Sequence, residues 1–150
     1  YGDNILIYQT SKSYAKLINE LNKINDLNFV VYGFDKEEKQ RNITFRKFNE
    51  KQFFKDLKNC KCIITNGGFS LISEGIYLKK PILSCPVKKQ FEQETNAFYL
   101  DKLGCGKMVK EISADEIEKF VNDLDIYKKK LKKVQWKDDF FDEIDKIIQQ

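Results

Sequence analysis

The chain has 150 residues, 27 of them basic and 23 acidic, for a net charge of +4, and 41% are hydrophobic. That length supports one buried core and that composition is globular, not disordered. So mild a charge argues against a nucleic-acid partner, which calls for a basic face or stripe, and no apolar run approaches the roughly 18 residues that span a bilayer.

No secretory leader opens the chain. It begins at Tyr1 and enters a strand pattern almost at once, so it is expected to be a fragment of a longer protein, with residues 1–150 forming one domain. Cys60, Cys62, Cys85 and Cys105 lack the C-x-x-C spacing of a zinc site, and there is no histidine to complete one; no metal is expected. They are read as reduced structural thiols, consistent with a cytoplasmic protein. Lys128, Lys129, Lys130, Lys132 and Lys133 cluster, as do the acids Asp138, Asp139, Asp142, Glu143 and Asp145. The basic cluster reads as a solvated helix face, with a peripheral contact to an anionic membrane or partner kept as the alternative.

In chain order, Asn4 to Tyr8 is a short apolar strand that ends in polar Gln9, Thr10 and Ser11. Tyr14, Leu17, Ile18, Leu21 and Ile24 recur at helical spacing. Leu27 to Tyr32 reads as a strand stopped by Gly33, Asp35 to Arg41 as an exposed connection, and Ile43 to Phe48 as an alternating, half-buried strand. Asn49 with Gln52 fits a capping box opening a helix whose buried face is Phe53, Phe54 and Leu57. The strand Cys62 to Thr65 then runs into Gly67 and Gly68, and a helix follows over about Phe69 to Leu78. Pro81 cannot continue that helix but can open the strand Ile82 to Cys85. A polar loop leads to a helix through Asn96 to Leu103, closed by Gly104, and Gly106 to Val109 supplies a last strand. Ser113 and Glu116 form a second capping box ahead of Ile117, Phe120, Val121 and Leu124, and a final apolar stripe runs from Phe140 to Ile148. Alternation of strand and helix implies an α/β fold, a Rossmann-like parallel sheet of about six strands with helices on both faces.

In such a sheet, ligands sit beyond the carboxyl ends of the strands. Gly67 and Gly68 would let a phosphate approach the unpaired N–H groups and favourable dipole of a helix start, although two glycines also simply make a tight turn. Glu74, six residues after Gly68, could accept two ribose hydroxyls, or instead serve the helix dipole or pair with Lys79 or Lys80. Glu92 and Gln93 offer acceptors and donors to a sugar, or form a polar helix start in which Asn96 bonds locally.

Taken together, Asn66, Gly67, Gly68, Glu74, the run Lys80 to Leu83, Pro86, Glu92, Gln93, Asn96 and Ala97 resemble the donor-binding, C-terminal half of GT-B fold glycosyltransferases. The group is the one containing the lipid-II-forming N-acetylglucosaminyltransferases and the UDP-glucuronosyltransferases, with the nearest likeness to an uncharacterised prokaryotic branch. The motif block covers roughly residues 62–106, and the order of elements extends the similarity over nearly the whole chain.

The resemblance implies that Gly67, Gly68, Phe69 and Ser70 line a diphosphate, that Glu74 holds the ribose, and that Glu92 and Gln93 bind the donor sugar. It places Thr10 near the phosphates and Phe48, with Asn49, against the base. Many relatives carry a phosphate-contacting histidine where Asn66 stands; Lys12, Lys88 or Lys89 could supply the missing charge, or be ordinary surface lysines. No retaining-type glutamate stands eight residues after Glu74, where Ile82 lies, which leans toward inversion. The implied partners are a nucleotide-sugar donor, UDP-linked by default, and an N-terminal acceptor domain absent from this chain that would bring the catalytic base and any membrane association. The implied activity is that of a hexosyltransferase with no separate cofactor, the fragment alone being inactive. A nucleotide-sugar epimerase or hydrolase of the same fold, or a non-catalytic donor-binding subunit docked on a membrane-attached partner, remain as alternatives.

Overall fold

The computed structural model describes residues 2–9 and 14–135. Seven strands form one sheet: β1 (Asn4–Tyr8), β2 (Asn28–Tyr32), β3 (Glu38–Gln40), β4 (Ile43–Phe45), β5 (Cys62–Thr65), β6 (Ile82–Ser84) and β7 (Gly106–Met108). Six helices are described: α1 (Tyr14–Leu21), α2 (Glu50–Asn59), α3 (Phe69–Tyr77), α4 (Phe91–Lys102), α5 (Ala114–Asn122) and α6 (Leu124–Lys133).

The spatial order is β3-β4-β2-β1-β5-β6-β7, parallel throughout except for β3, which pairs antiparallel with β4. Strand order reverses between β1 and β5, whose ends meet in the pair Tyr8 and Thr65. A crevice opens beyond the carboxyl ends of the strands at such a reversal.

Short apolar strands buried on both faces feed two cores. Ile5, Ile7, Phe29, Val31, Cys62, Ile64 and Leu83 point to one side, where Leu17 and Leu21 of α1 and Ile117 and Phe120 of α5 cover them. Leu6, Val30, Ile63 and Ile82 point to the other, against Phe53 and Leu57 of α2, Leu71 and Ile72 of α3, Leu100 of α4 and Leu131 of α6. Both helix-opening caps form as expected: Asn49 accepts from the Gln52 N–H at 3.1 Å and Ser113 from the Glu116 N–H at 3.2 Å. Gly104 closes α4 with φ +70°, its N–H on the Asp101 carbonyl.

Five expectations change. The sheet has seven strands, because the charged run read as a connection contains β3; its Glu38, Lys39 and Gln40 make a short polar edge that discourages further pairing. β4 stops at Phe45, where the Arg46 N–H makes the last bond to Val31, and the chain then leaves the sheet, so Phe48 is free of it. Phe54 is 46% exposed, so only Phe53 and Leu57 form the buried face of α2. The helix read from Asn96 begins at Phe91, which places Glu92 and Gln93 in its first turn and not in a loop. Leu124 opens α6 instead of closing α5, with Asp123 between the two. The stripe Phe140 to Ile148 lies outside the described residues, as do Thr10 and Lys12.

Candidate functional site

The reversal between β1 and β5 is occupied by a cleft of about 450 Å³. Its described lining is Tyr8, Phe48, Phe53, Thr65, Asn66, Gly68, Phe69, Ser70, Leu71, Glu74, Glu92 and Gln93. Eight of the ten residues singled out from the sequence for ligand contact are therefore brought to one place. Gly67 sits behind it, and Thr10 lies outside the described residues.

The two glycines do different work. Gly67 is buried with φ +98°, a left-handed conformation that other residues adopt only under strain. A β-carbon there would stand 2.9 Å from Ser84 Oγ and 3.0 Å from the Gln93 carbonyl oxygen. The Asn96 amide donates to the Gly67 carbonyl at 3.1 Å, fastening the turn to α4. Gly68, by contrast, has φ −61°, and a β-carbon on it would meet nothing within 4 Å. It is the N-cap of α3, and no side chain caps that end, whereas α2 and α5 are capped by Asn49 and Ser113. The first N–H groups of α3 have no intrahelical acceptor and face the cleft edge. An anion is favoured there by those donors and by the helix dipole.

Glu74 lies one and a half turns into α3 and lines the cleft. Burial, the one cause, holds its carboxyl above the usual carboxylate range. Neither suggested lysine pairs with it: Lys79 Nζ donates to the Val134 carbonyl and Lys80 Nζ to the Cys60 carbonyl at 2.7 Å. Gln93 spends its Oε1 on the Val87 N–H at 3.0 Å, which leaves its amide NH2 as the group it can present to a ligand. Glu92, beside it, is exposed.

Asn66 is 6% exposed and its Nδ2 donates to the Cys85 carbonyl at 3.2 Å, turned across the strand ends toward a second cavity of about 510 Å³. Lys88 lines that second cavity along with Gln9, Lys16 and Glu111, and does not line the first. Among the described residues, none of those around the first cleft is basic.

The opposite wall is aromatic. Phe53 reaches Tyr8 at 5.7 Å and Tyr32 at 5.1 Å edge-on, and Phe48 at 5.4 Å between ring centroids. Phe48 is 62% exposed, a flat apolar surface at the cleft mouth, and Asn49 next to it is occupied in capping α2. Sequence reading missed Tyr8 and Thr65 and treated Phe53 as core alone. Tyr8 and Thr65 end the two strands that flank the switch point, and the strand order that would single them out cannot be read locally.

The four cysteines are free and within the described residues, and burial pushes the Cys60 thiol up to about 11. No helix among the described residues is long and apolar enough to cross a membrane.

A family model for glycosyl transferase family 1 matches residues 1–125. An uncharacterized glycosyltransferase of Methanosarcina mazei is 37% identical over 76 residues, and one of Methanosarcina acetivorans 33% identical over 76 residues. Those alignments take in 51% of this chain but only 20% and 19% of the relatives, so the similarity spans about a fifth of their length. Among solved structures, the glycosyltransferase SnogD from Streptomyces nogalater superposes with a TM-score of 0.69 at 19% identity, over 87% of this chain and 36% of that one. The calicheamicin glycosyltransferase CalG4 gives 0.70 at 15% identity, over 87% and 36%. At such identities the likeness is one of fold, the α/β fold found in GT-B glycosyltransferases. The family match, covering most of the chain, is of a different kind: the chain belongs to glycosyl transferase family 1.

Proposed function

We propose that this chain is the donor-binding, C-terminal half of a hexosyltransferase that uses a nucleoside diphosphate sugar, with UDP as the carrier. The observation that carries the reading is the cleft at the β1–β5 reversal, with an uncapped helix start, a half-buried carboxylate and an acid–amide pair around one volume. In this reading the diphosphate lies on the N–H groups at the start of α3, approached across the bare surface of Gly68. Glu74 accepts the ribose hydroxyls, Glu92 and the Gln93 amide hold the sugar, and Phe48 packs against the base.

The chemistry assigned to this half is stabilisation of the leaving diphosphate. Fixed N–H donors aimed at developing charge need no reorganisation, and each contributes on the order of 3 kcal/mol in a water-poor site. Asn66, its amide engaged by Cys85, is a positioning residue in this scheme and not a phosphate ligand. Thr10 retains its proposed place near the phosphates. The acceptor, the base that deprotonates it and any membrane attachment belong to a further domain, in keeping with the fifth of the curated relatives that this chain matches. A cytoplasmic setting is proposed from the free thiols.

The test is calorimetric titration of the chain with UDP, GDP and their sugars. Saturable one-to-one binding, stronger for the uridine series and without sugar transfer by the fragment alone, is the expected result. No saturable heat with any of these ligands would overturn the reading.

A further inference from the structure

The amino ends of the strands, opposite the donor cleft, hold a second charged feature that donor binding does not use. A cavity of about 220 Å³ opens there, and every described residue that lines it is a lysine: Lys61, Lys79, Lys80, Lys128 and Lys132. Chain topology brings them together. Lys61 precedes β5, Lys79 and Lys80 form the turn before β6, and Lys128 and Lys132 stand one helical turn apart on α6.

Two of these side chains are pinned. Lys80 is 3% exposed with its Nζ on the Cys60 carbonyl, and Lys79 bonds the Val134 carbonyl. Burial pulls the Lys80 ammonium below the usual lysine range, opposed by Cys60 and aided more weakly by the charge of Lys128. The nearby C-termini of α2, α3 and α6 supply negative dipole ends, which explains part of the lysine content. Each is worth about half a unit charge, so three ends offset roughly one and a half of five positive charges. Lys128 also pairs with the exposed Asp125 at 3.7 Å, which offsets at most one charge more. The remainder, roughly two and a half charges, is a positive field in a concave, partly dehydrated place.

We propose that this lysine-lined cavity is a binding site for a phosphate group, separate from the donor cleft and at the other end of the strands. Ammonium groups suit this ligand as point charges with several donors each. An anion of that size would relieve the mutual repulsion of Lys80 and Lys128 and be held from three segments of chain at once. The same chemistry fits a free pyrophosphate or a phospholipid headgroup.

The experiment titrates the 150-residue chain with inorganic pyrophosphate while backbone amide shifts are followed. Saturable shifts at Lys61, Lys79 and Lys80 are expected; shifts at Gly67 to Ser70 report the donor cleft separately. Lys128→Gln with Lys132→Gln should weaken the former at least about tenfold, through two lost charged hydrogen bonds. The control pair Lys129→Gln with Lys133→Gln removes equal charge from exposed positions of the same helix and should change affinity less than about twofold. Equal weakening by both pairs would mean diffuse attraction and would overturn the proposal. Sedimentation with phosphatidylglycerol–phosphatidylcholine vesicles, against phosphatidylcholine alone, separates the sources. Vesicle binding lost in the Lys128 and Lys132 variant assigns a headgroup, and pyrophosphate binding without vesicle binding assigns a free ligand. Binding of neither defeats the site, whatever supplies the countercharge.

Discussion

Asn96 Nδ2 stands 3.1 Å from the Gly67 carbonyl oxygen, so the second turn of α4 holds the glycine turn that starts α3. The bond is side chain to main chain, links two helix starts around one cleft, and sits on a residue whose own backbone strains any replacement. Asn96→Ala should cost about 1 kcal/mol of stability, the usual net value of one hydrogen bond. Its larger effect is expected on UDP-sugar affinity, because the α3 N–H groups lose their fixed aim. Urea unfolding beside calorimetry separates the two; equal affinity in the variant would mean that the turn holds itself.

The two glycines should respond in opposite ways to alanine. Gly67→Ala forces a β-carbon into a left-handed residue and against Ser84 and the Gln93 carbonyl, a loss of about 1–3 kcal/mol. Gly68→Ala places its methyl in open space at a φ that alanine accepts, so stability should hold or rise by about 0.4–1 kcal/mol. The same methyl intrudes where a diphosphate would lie. A folded Gly68→Ala protein with undiminished UDP affinity would remove the phosphate from this helix end.

Phe53 joins the core to the aromatic wall. It is 7% exposed, and Tyr8, Tyr32 and Phe48 pack around its ring. Phe53→Ala should lose about 3–5 kcal/mol, and Phe53→Leu clearly less. Of greater interest is Phe48→Ala on the exposed side of the same cluster, which should leave thermal stability nearly unchanged while lowering affinity for UDP more than for inorganic pyrophosphate. A parallel loss for both ligands would place the base elsewhere.

Much of this architecture was legible because it is local. Asn49 and Ser113 announce their helices by three-residue spacing, Gly104 ends α4, and the β5–glycine–α3 sequence marks one rim of the cleft directly. Non-local features were not. β3 has no apolar pattern, since an edge strand need bury neither face; it exists because β4 offers it carbonyls and N–H groups. Tyr8 and Thr65 became site residues only through the register that sets them side by side. Asn66 stands where the resemblance puts a phosphate-contacting histidine, and its Nδ2 donates to the Cys85 carbonyl, a direction that spacing cannot encode. Thr10 is outside the described residues.

Glu74 links stability and binding through pH. Burial raises its carboxyl above the ordinary glutamate value of 4.5, so the folded chain holds that proton more tightly than the unfolded chain does. The stability this provides is complete below 4.5 and is lost as pH rises through the higher folded value, above which the dependence is flat. Donor binding should run the other way, since only the carboxylate accepts two hydroxyl hydrogen bonds, and affinity should climb across that window. A UDP-sugar is the ligand to use, because its diphosphate does not titrate there. Glu74→Gln removes the buried charge, so at neutral pH its midpoint of thermal unfolding should equal or exceed that of the native chain. Loss of charged hydrogen bonds worth about 1.5–3 kcal/mol should at the same time weaken UDP-sugar binding by roughly 10- to 100-fold and abolish its pH dependence. A variant that binds as tightly as the native chain would show that this carboxylate faces the cleft without touching the ribose.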